Sequence, residues 1–346
     1  MASTYLITGG AGFIGSHLVE ALLGQGESVV VLDDLSTGDK ANLAAAWSNP
    51  RLRFVRGSVL DERLVEELTG RCDTVVHLAA AVGVRLIVEQ PLKSFTTNVR
   101  GTENVIAAAH RHGRRVLLAS TSEIYGKNPG PLTEGCDRVL GATSVARWSY
   151  STAKAVDEIL ALAHHREFGL PVTVARLFNT VGPRQSPAYG MVIPRLVRQA
   201  VAGEPLTVHG DGRQRRCFAH VADVVDALLR LLAHPGADGR IFNVGTEDEI
   251  SIAGLAARVV ARAGSASPVV LVPYDQVYGA GAGDFEDIER RLPDTTRLRE
   301  LTGWAPRRGL DDILDASIAE ARAEQAALPG QPRAQDTPQL TAHPRV

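Results

Sequence analysis

Three glycines spaced three apart, Gly9, Gly12 and Gly15, lie between a short apolar run, Thr4–Thr8, and a stretch with helical spacing, Phe13–Leu23. Such a junction constrains the fold strongly. A strand that turns at once into a helix needs a residue with unusual backbone freedom, and a backbone that approaches a ligand closely needs no Cβ. The first turn of the helix also offers unbonded N–H groups to an anion. A glycine trio alone is weak evidence, but its place between strand and helix marks a dinucleotide-binding turn rather than a plain glycine-rich loop. Phe13 and Ile14 belong to the same turn. A second apolar run, Ser28–Leu32, is closed by Asp33, about 20 residues on, where an acid accepts hydrogen bonds from ribose hydroxyls and repels a 2′-phosphate. That favours NAD over NADP. Asp34 is the second candidate, with capping of the next turn as its other role.

The alternation continues, with strand-like runs at Leu52–Arg56, Thr74–His77, Arg115–Ala119 and Val172–Arg176. Between them are helical stretches at Glu62–Leu68, Ser94–Arg111 and Ser149–Phe168. Strands apolar on both faces, separated by amphipathic helices, predict an α/β fold: a doubly wound parallel Rossmann sheet over residues 1–177. After Leu177 the pattern loosens, with helical pieces at Val192–Ala202, Ala219–Leu232, Ile252–Ala263 and Leu310–Glu324. This predicts a smaller mixed α/β lobe over 178–324, mainly for substrate, with some segments returning to the first domain. The Pro-, Gln- and Ala-rich end, 325–346, reads as a flexible tail.

With 346 residues, 45% hydrophobic and 22% charged, the chain has ample material for a core. Its formal net charge of -2 gives no general attraction to nucleic acid or anionic membranes. No apolar run approaches the roughly 20 residues of a membrane span. Cys72, Cys136 and Cys217 are few, odd in number and widely spaced, which implies free thiols, no metal site and, with no leader-like start, a cytoplasmic protein.

Tyr150 and Lys154 stand four apart at a helix start, so phenol and ammonium share a face. A free tyrosine, with a pKa near ~10, is a poor base at neutral pH. A nearby ammonium and a nicotinamide cation both favour the phenolate, which then takes a proton from a substrate hydroxyl. The spacing alone is common by chance.

Context changes this. The segments TGGAGFIG (from Thr8), LLASTSEIYG (from Leu117) and YSTAK (from Tyr150) resemble, in order and spacing, the extended short-chain dehydrogenase/reductases acting on nucleotide sugars. The resemblance runs from Thr4 to about Trp304. It implies Thr121 as the hydroxyl that hydrogen-bonds the reacting oxygen, Tyr150 as base, and Lys154 as the group that orients ribose and tunes Tyr150. It adds cofactor contacts at Val59, Leu78, Ala79, Ala80 and Asn98. Ser58 stands where the family has an adenine-contacting Asp. In the second lobe it implies Asn179, Arg184 and Arg216 at the sugar diphosphate, and Thr207 and His209 on the strand that recognises uracil.

Enzymes of this kind oxidise the sugar at carbon 4, and the later step differs. Ser122-Glu123 lacks the Asp of the 4,6-dehydratases and is similar to the pair in UDP-glucuronate decarboxylases. Arg291, two residues before Pro293, matches an Arg of those enzymes. For a lone Arg a surface salt bridge to Glu286, Asp287 or Glu289 is the alternative, but two independent matches point to decarboxylation. UDP-sugar 4-epimerisation with the same Tyr, Lys and NAD is the second reading. Arg85, after Leu78-Ala79-Ala80, is a further carboxylate candidate. The helices near Ser94–Arg111 and Ser149–Phe168 carry more apolar surface than one sheet face needs, and family members pair them in a dimer, so a homodimer is expected.

Overall fold

The computed structural model describes residues 2–83, 90–186, 191–278 and 287–327. Its centre is one parallel sheet of β1 (Thr4–Thr8), β2 (Ser28–Asp33), β3 (Leu52–Arg56), β4 (Thr74–His77), β5 (Arg115–Thr121), β6 (Val172–Leu177) and β7 (Arg240–Val244). The strands lie in the order β7-β6-β5-β4-β1-β2-β3, all parallel. The chain therefore winds outward from β1 in both directions, and the crevice at the reversal point opens at the carboxyl ends of the strands.

Alternation of side chains decides the two faces. Ile7, Val76 and Leu117 join one core with Leu18, Val19 and Leu22 of α1 (Phe13–Gly24). Leu6, Val75, Val116 and Leu118 join another on the opposite face, with Val65 of α2 (Glu62–Gly70), Val105 and Ile106 of α3 (Pro91–His112) and Ala161 of α4 (Arg147–Phe168). The doubly wound expectation is met, including strand positions. Helix α3 starts three residues earlier than its apolar pattern, because Pro91 suits a first turn that has no N–H partner to lose.

The second lobe has its own core, where α5 (Val192–Ala202), α7 (Ile252–Ala263) and α8 (Leu310–Ala327) pack together. Helix α8 runs through Ala327, past Gln325, where the tail was expected to begin; residues 328–346 lie outside the described residues. Two segments return to the first domain. Helix α6 (Val221–Ala233) packs in the α1 core, and β7 pairs with β6. Strand β7 is missed by pattern because its five residues, RIFNV, include a buried Asn243. That amide receives the Tyr125 hydroxyl at 2.6 Å and donates to the Leu132 carbonyl at 2.7 Å, so it is a hub rather than a solvent-facing polar residue. A four-stranded sheet then ties Pro131–Leu132, Arg290–Pro293, Arg215–Cys217 and Glu249–Ser251 into the floor of the crevice.

Under that floor, Arg176 of β6 grips Glu158 of α4 through Nε–Oε1 at 2.9 Å and Nη2–Oε2 at 2.7 Å. Ser120 of β5 donates to the same carboxylate at 2.5 Å, and both charged residues are buried. Strands and helix are thereby locked in one relation. Arg176→Met leaves Glu158 as a buried charge without its guanidinium, which is expected to cost about 3–5 kcal/mol. A urea midpoint that does not move would show that the pair is not what fixes α4.

Candidate functional site

The cleft at the strand ends encloses about 920 Å³, at the upper end of ordinary ligand sites. Gly9, with φ +72°, would bring a Cβ to 2.8 Å from the Ala79 nitrogen, and a Cβ on Gly15 would collide with the Gly9 carbonyl oxygen. Helix α1 has no side-chain cap and no acid in its first turn, leaving its amino end to an anion. Asp33 accepts from Ala11 N at 2.9 Å and Leu35 N at 2.8 Å, and its carboxylate faces the cleft. Burial holds its pKa above the ordinary carboxylate value, against those two hydrogen bonds. These features fit a dinucleotide.

Gly12, Phe13, Ile14, Asp34, Val59, Leu78, Ala79 and Ala80 also line this half. Three expected contacts, Ser58, Asn98 and Lys154, do not. Ser58 accepts from Leu60 N at 3.2 Å, within its own turn. Asn98 is buried and bonds the Ala81 backbone at both ends, accepting from N at 2.8 Å and donating to O at 3.3 Å. Its place on α3 aims it at the loop behind the wall, where it holds that loop in position.

Helix α4 brings Arg147, Tyr150 and Lys154 to one face, at positions i, i+3 and i+7. Tyr150 lines the cleft, as does Thr121. Its phenol is pushed above its ordinary value by burial, then by Glu123 and Asp157. The expected lowering by Lys154 is absent from the chain's own charges, because that ammonium is turned to Asp157 at 2.8 Å, behind the cleft wall. Separately, the Thr102 hydroxyl is 3.1 Å from His77 Nε2, and His77 Nδ1 is 2.7 Å from the Thr8 hydroxyl. Burial, helped by Lys154, drives the His77 imidazole down to about 3, so it is neutral and bridges the two threonines. Sequence reasoning missed Asp157, although an acid three residues after a helical lysine is a legible pair.

Opposite Tyr150 lies a cluster of charges. Glu123 Oε1 is 2.7 Å from Arg291 Nη1, and its Oε2 is 3.4 Å from Arg147 Nη2. Arg291 also donates to Ser122 Oγ at 3.4 Å. Arg216 pairs with Asp287 at 2.9 Å, and Asp287 accepts from the Tyr274 hydroxyl at 2.7 Å. The ladder places Arg216 directly beside Arg291. Burial and that neighbour bring Arg216 down to about 10, even against Asp287. Burial alone would raise Glu123, but Arg291, Arg147 and Arg216 outweigh it and hold the carboxyl below its ordinary value. The surface salt bridge considered for Arg291 gives way to this inward pair, since the strand directs its side chain into the cleft. Arg147 and Tyr274 were not singled out in the sequence, and Asp287 was considered only as a surface partner for Arg291, for the three converge only through tertiary structure.

Asn179, Arg184 and His209 line the second half of the cleft. Asn179 donates to the Cys217 carbonyl at 2.9 Å. Arg184, at φ +70°, instead ties the lobe to α1, with its guanidinium 2.7 Å from Glu20 and its backbone N 2.7 Å from Glu320. Burial and then Arg195 take His209 down to about 4, so it is a neutral hydrogen-bonding group. Thr207 is not in the wall. It points to α5, where its hydroxyl is bonded by Arg195 at 2.5 Å and Gln199 at 3.0 Å. Arg85 lies outside the described residues.

A doubly wound sheet with a glycine cradle and a Tyr–Lys helix over one cleft defines a dinucleotide-dependent enzyme. Residues 5–245 match the model of the NAD dependent epimerase/dehydratase family, and the chain belongs to that family and uses NAD. It is 41% identical over 307 residues to UDP-N-acetyl-alpha-D-glucosaminuronate decarboxylase of Bacillus cytotoxicus, covering 88% of this chain and 94% of the relative. With UDP-glucuronic acid decarboxylase 1 of Arabidopsis thaliana the identity is 35% over 323 residues, covering 92% and 69%. The structure of UDP-glucuronic acid 4-epimerase from Bacillus cereus, in complex with UDP-glucuronic acid and NAD, superposes with a TM-score of 0.82 at 26% identity, covering 93% and 99%.

Gly15→Ala places its Cβ against the Gly9 carbonyl in the cradle. The expected result is at least a tenfold weaker NAD affinity in a folded protein, measured by calorimetry. Unchanged affinity would mean that the turn is not the dinucleotide seat.

Proposed function

We propose that this enzyme decarboxylates a UDP-linked hexuronate, with UDP-glucuronate as the first substrate to test. The observation that carries the reading is the Glu123–Arg291 pair at 2.7 Å, facing the cleft beside Tyr150 and Thr121. The names of the two decarboxylase relatives support it.

Bound NAD supplies a hydride acceptor for sugar carbon 4. Tyr150 takes the proton of the 4-hydroxyl, while Thr121 hydrogen-bonds the same oxygen. Lys154, which the resemblance assigns to the ribose, is held by Asp157 behind the cleft wall. The resulting 4-keto group is β to the carboxylate at carbon 6. When the bond between carbons 5 and 6 breaks, its electron pair moves onto carbon 5 and the keto oxygen as an enolate, and carbon dioxide leaves with no metal or thiamine needed. Arg291 holds the departing carboxylate and Glu123 stands beside the reacting carbon. Protonation at carbon 5 gives UDP-4-keto-pentose, and UDP-xylose would follow by return of the same hydride to carbon 4 together with the proton that Tyr150 took. In this reading Asp33 takes the ribose hydroxyls, and Asn179 and Arg216 take the diphosphate with a guanidinium fork. His209 is assigned to the uracil side.

Incubation with UDP-glucuronate and NAD, followed by mass spectrometry, is expected to show the loss of carbon dioxide, with Arg291→Ala and Glu123→Ala each reducing it about 100-fold or more. A product of unchanged mass and new retention time would mean 4-epimerisation and would remove Glu123 and Arg291 from these roles.

The assembly proposed is a homodimer through α3 and α4. Leu92, Phe95, Val156, Ile159 and Phe168 are exposed apolar residues on these helices, and their burial against a second copy removes them from water. Light scattering at micromolar concentration is expected to give twice the chain mass, and a monomer would refute the assembly.

A further inference from the structure

We propose that Arg147 is the positioning residue for Glu123 in the reaction, holding the carboxylate oxygen that Arg291 leaves. This rests on the reading that Glu123 takes part at the sugar. The geometry is a clamp from two directions. Arg291 comes from the Arg290–Pro293 strand and takes Oε1 at 2.7 Å; Arg147 comes from the first turn of α4 and stands 3.4 Å from Oε2. Arg147 is buried, lines the cleft, and sits one helical turn before Tyr150 on the same face. Its guanidinium also reaches toward Asp287, at 3.9 Å.

The two arginines are not equivalent. Arg291 touches Ser122 Oγ and, in the proposed reaction, the substrate carboxylate, so its hold on Glu123 is shared when substrate is present. A carboxylate held at one oxygen by a shared partner is free to rotate. A second guanidinium, fixed to the helix that carries the base, keeps the Glu123 plane in register with Tyr150.

Removal of Arg147 still leaves Glu123 paired with Arg291 and Asp287 paired with Arg216, so Arg147→Met is expected to fold. The test is a double-mutant cycle with Glu123→Gln, read as steady-state turnover of UDP-glucuronate or UDP-N-acetylglucosaminuronate, whichever the wild type converts. Arg147→Met should lower kcat about 10- to 100-fold with KM within about threefold, and Arg147→Lys should recover part of the loss. The double variant should be no slower than Glu123→Gln alone. Multiplicative losses, a KM that rises in step with the loss, or unchanged turnover in Arg147→Met would overturn the proposal. Product mass is scored separately. A wild-type product that keeps its carboxylate sinks decarboxylation, while the cycle still reports whether Arg147 acts through Glu123.

Discussion

Seven strands running in the same direction are the constraint on which the site depends. Parallel pairing sends every loop of one kind to one edge, so β1, β4, β5 and β6 deliver the glycine cradle, the Leu78–Ala81 loop, Thr121 and Asn179 to a common crevice. Nothing in those loops is near its partners in the chain. The ladder supplies the proximity, and the two cores on either face of the sheet supply the rigidity. Arg176 and Glu158 then fasten α4 to β5 and β6 from below, so the helix carrying Tyr150 cannot slide along the sheet without breaking a buried two-point ion pair.

Much of this was legible in the sequence, for identifiable reasons. A glycine cradle depends on local sterics, and its residues are contiguous, so Gly9, Gly12, Gly15 and Asp33 could be read without a structure. Strands buried on both faces advertise themselves by continuous apolar runs. By contrast, β7 is short and contains Asn243, and its polarity makes sense only once Tyr125 and Leu132 are brought to it from over a hundred residues away. The same holds for the charge cluster. Glu123 and Arg291 were legible through resemblance, but Arg147 and Asp287 are ordinary charged residues until folding brings them together.

Lys154 shows where a sequence motif under-describes its setting. The spacing from Tyr150 puts both on one helical face, yet the ammonium is taken by the buried Asp157. Nearby, His77 bridges the Thr8 hydroxyl at the end of β1 and the Thr102 hydroxyl of α3, so the strand that leads into the glycine cradle is joined to α3 by polar contacts as well as by packing. Buried polar chains of this kind specify one arrangement because each member is costly to leave without its partner.

The adjacency of Arg216 and Arg291 in the ladder also bears on how such a site can change over generations. Neutralising Glu123 or Asp287 alone leaves guanidiniums crowded together in a buried place, while removing one arginine alone leaves a carboxylate short of its counter-charge. Single steps are therefore penalised, whereas compensated pairs are tolerated. A descendant of this chain with altered chemistry should carry its charge substitutions in correlated sets, and the glycine cradle should be free to stay as it is.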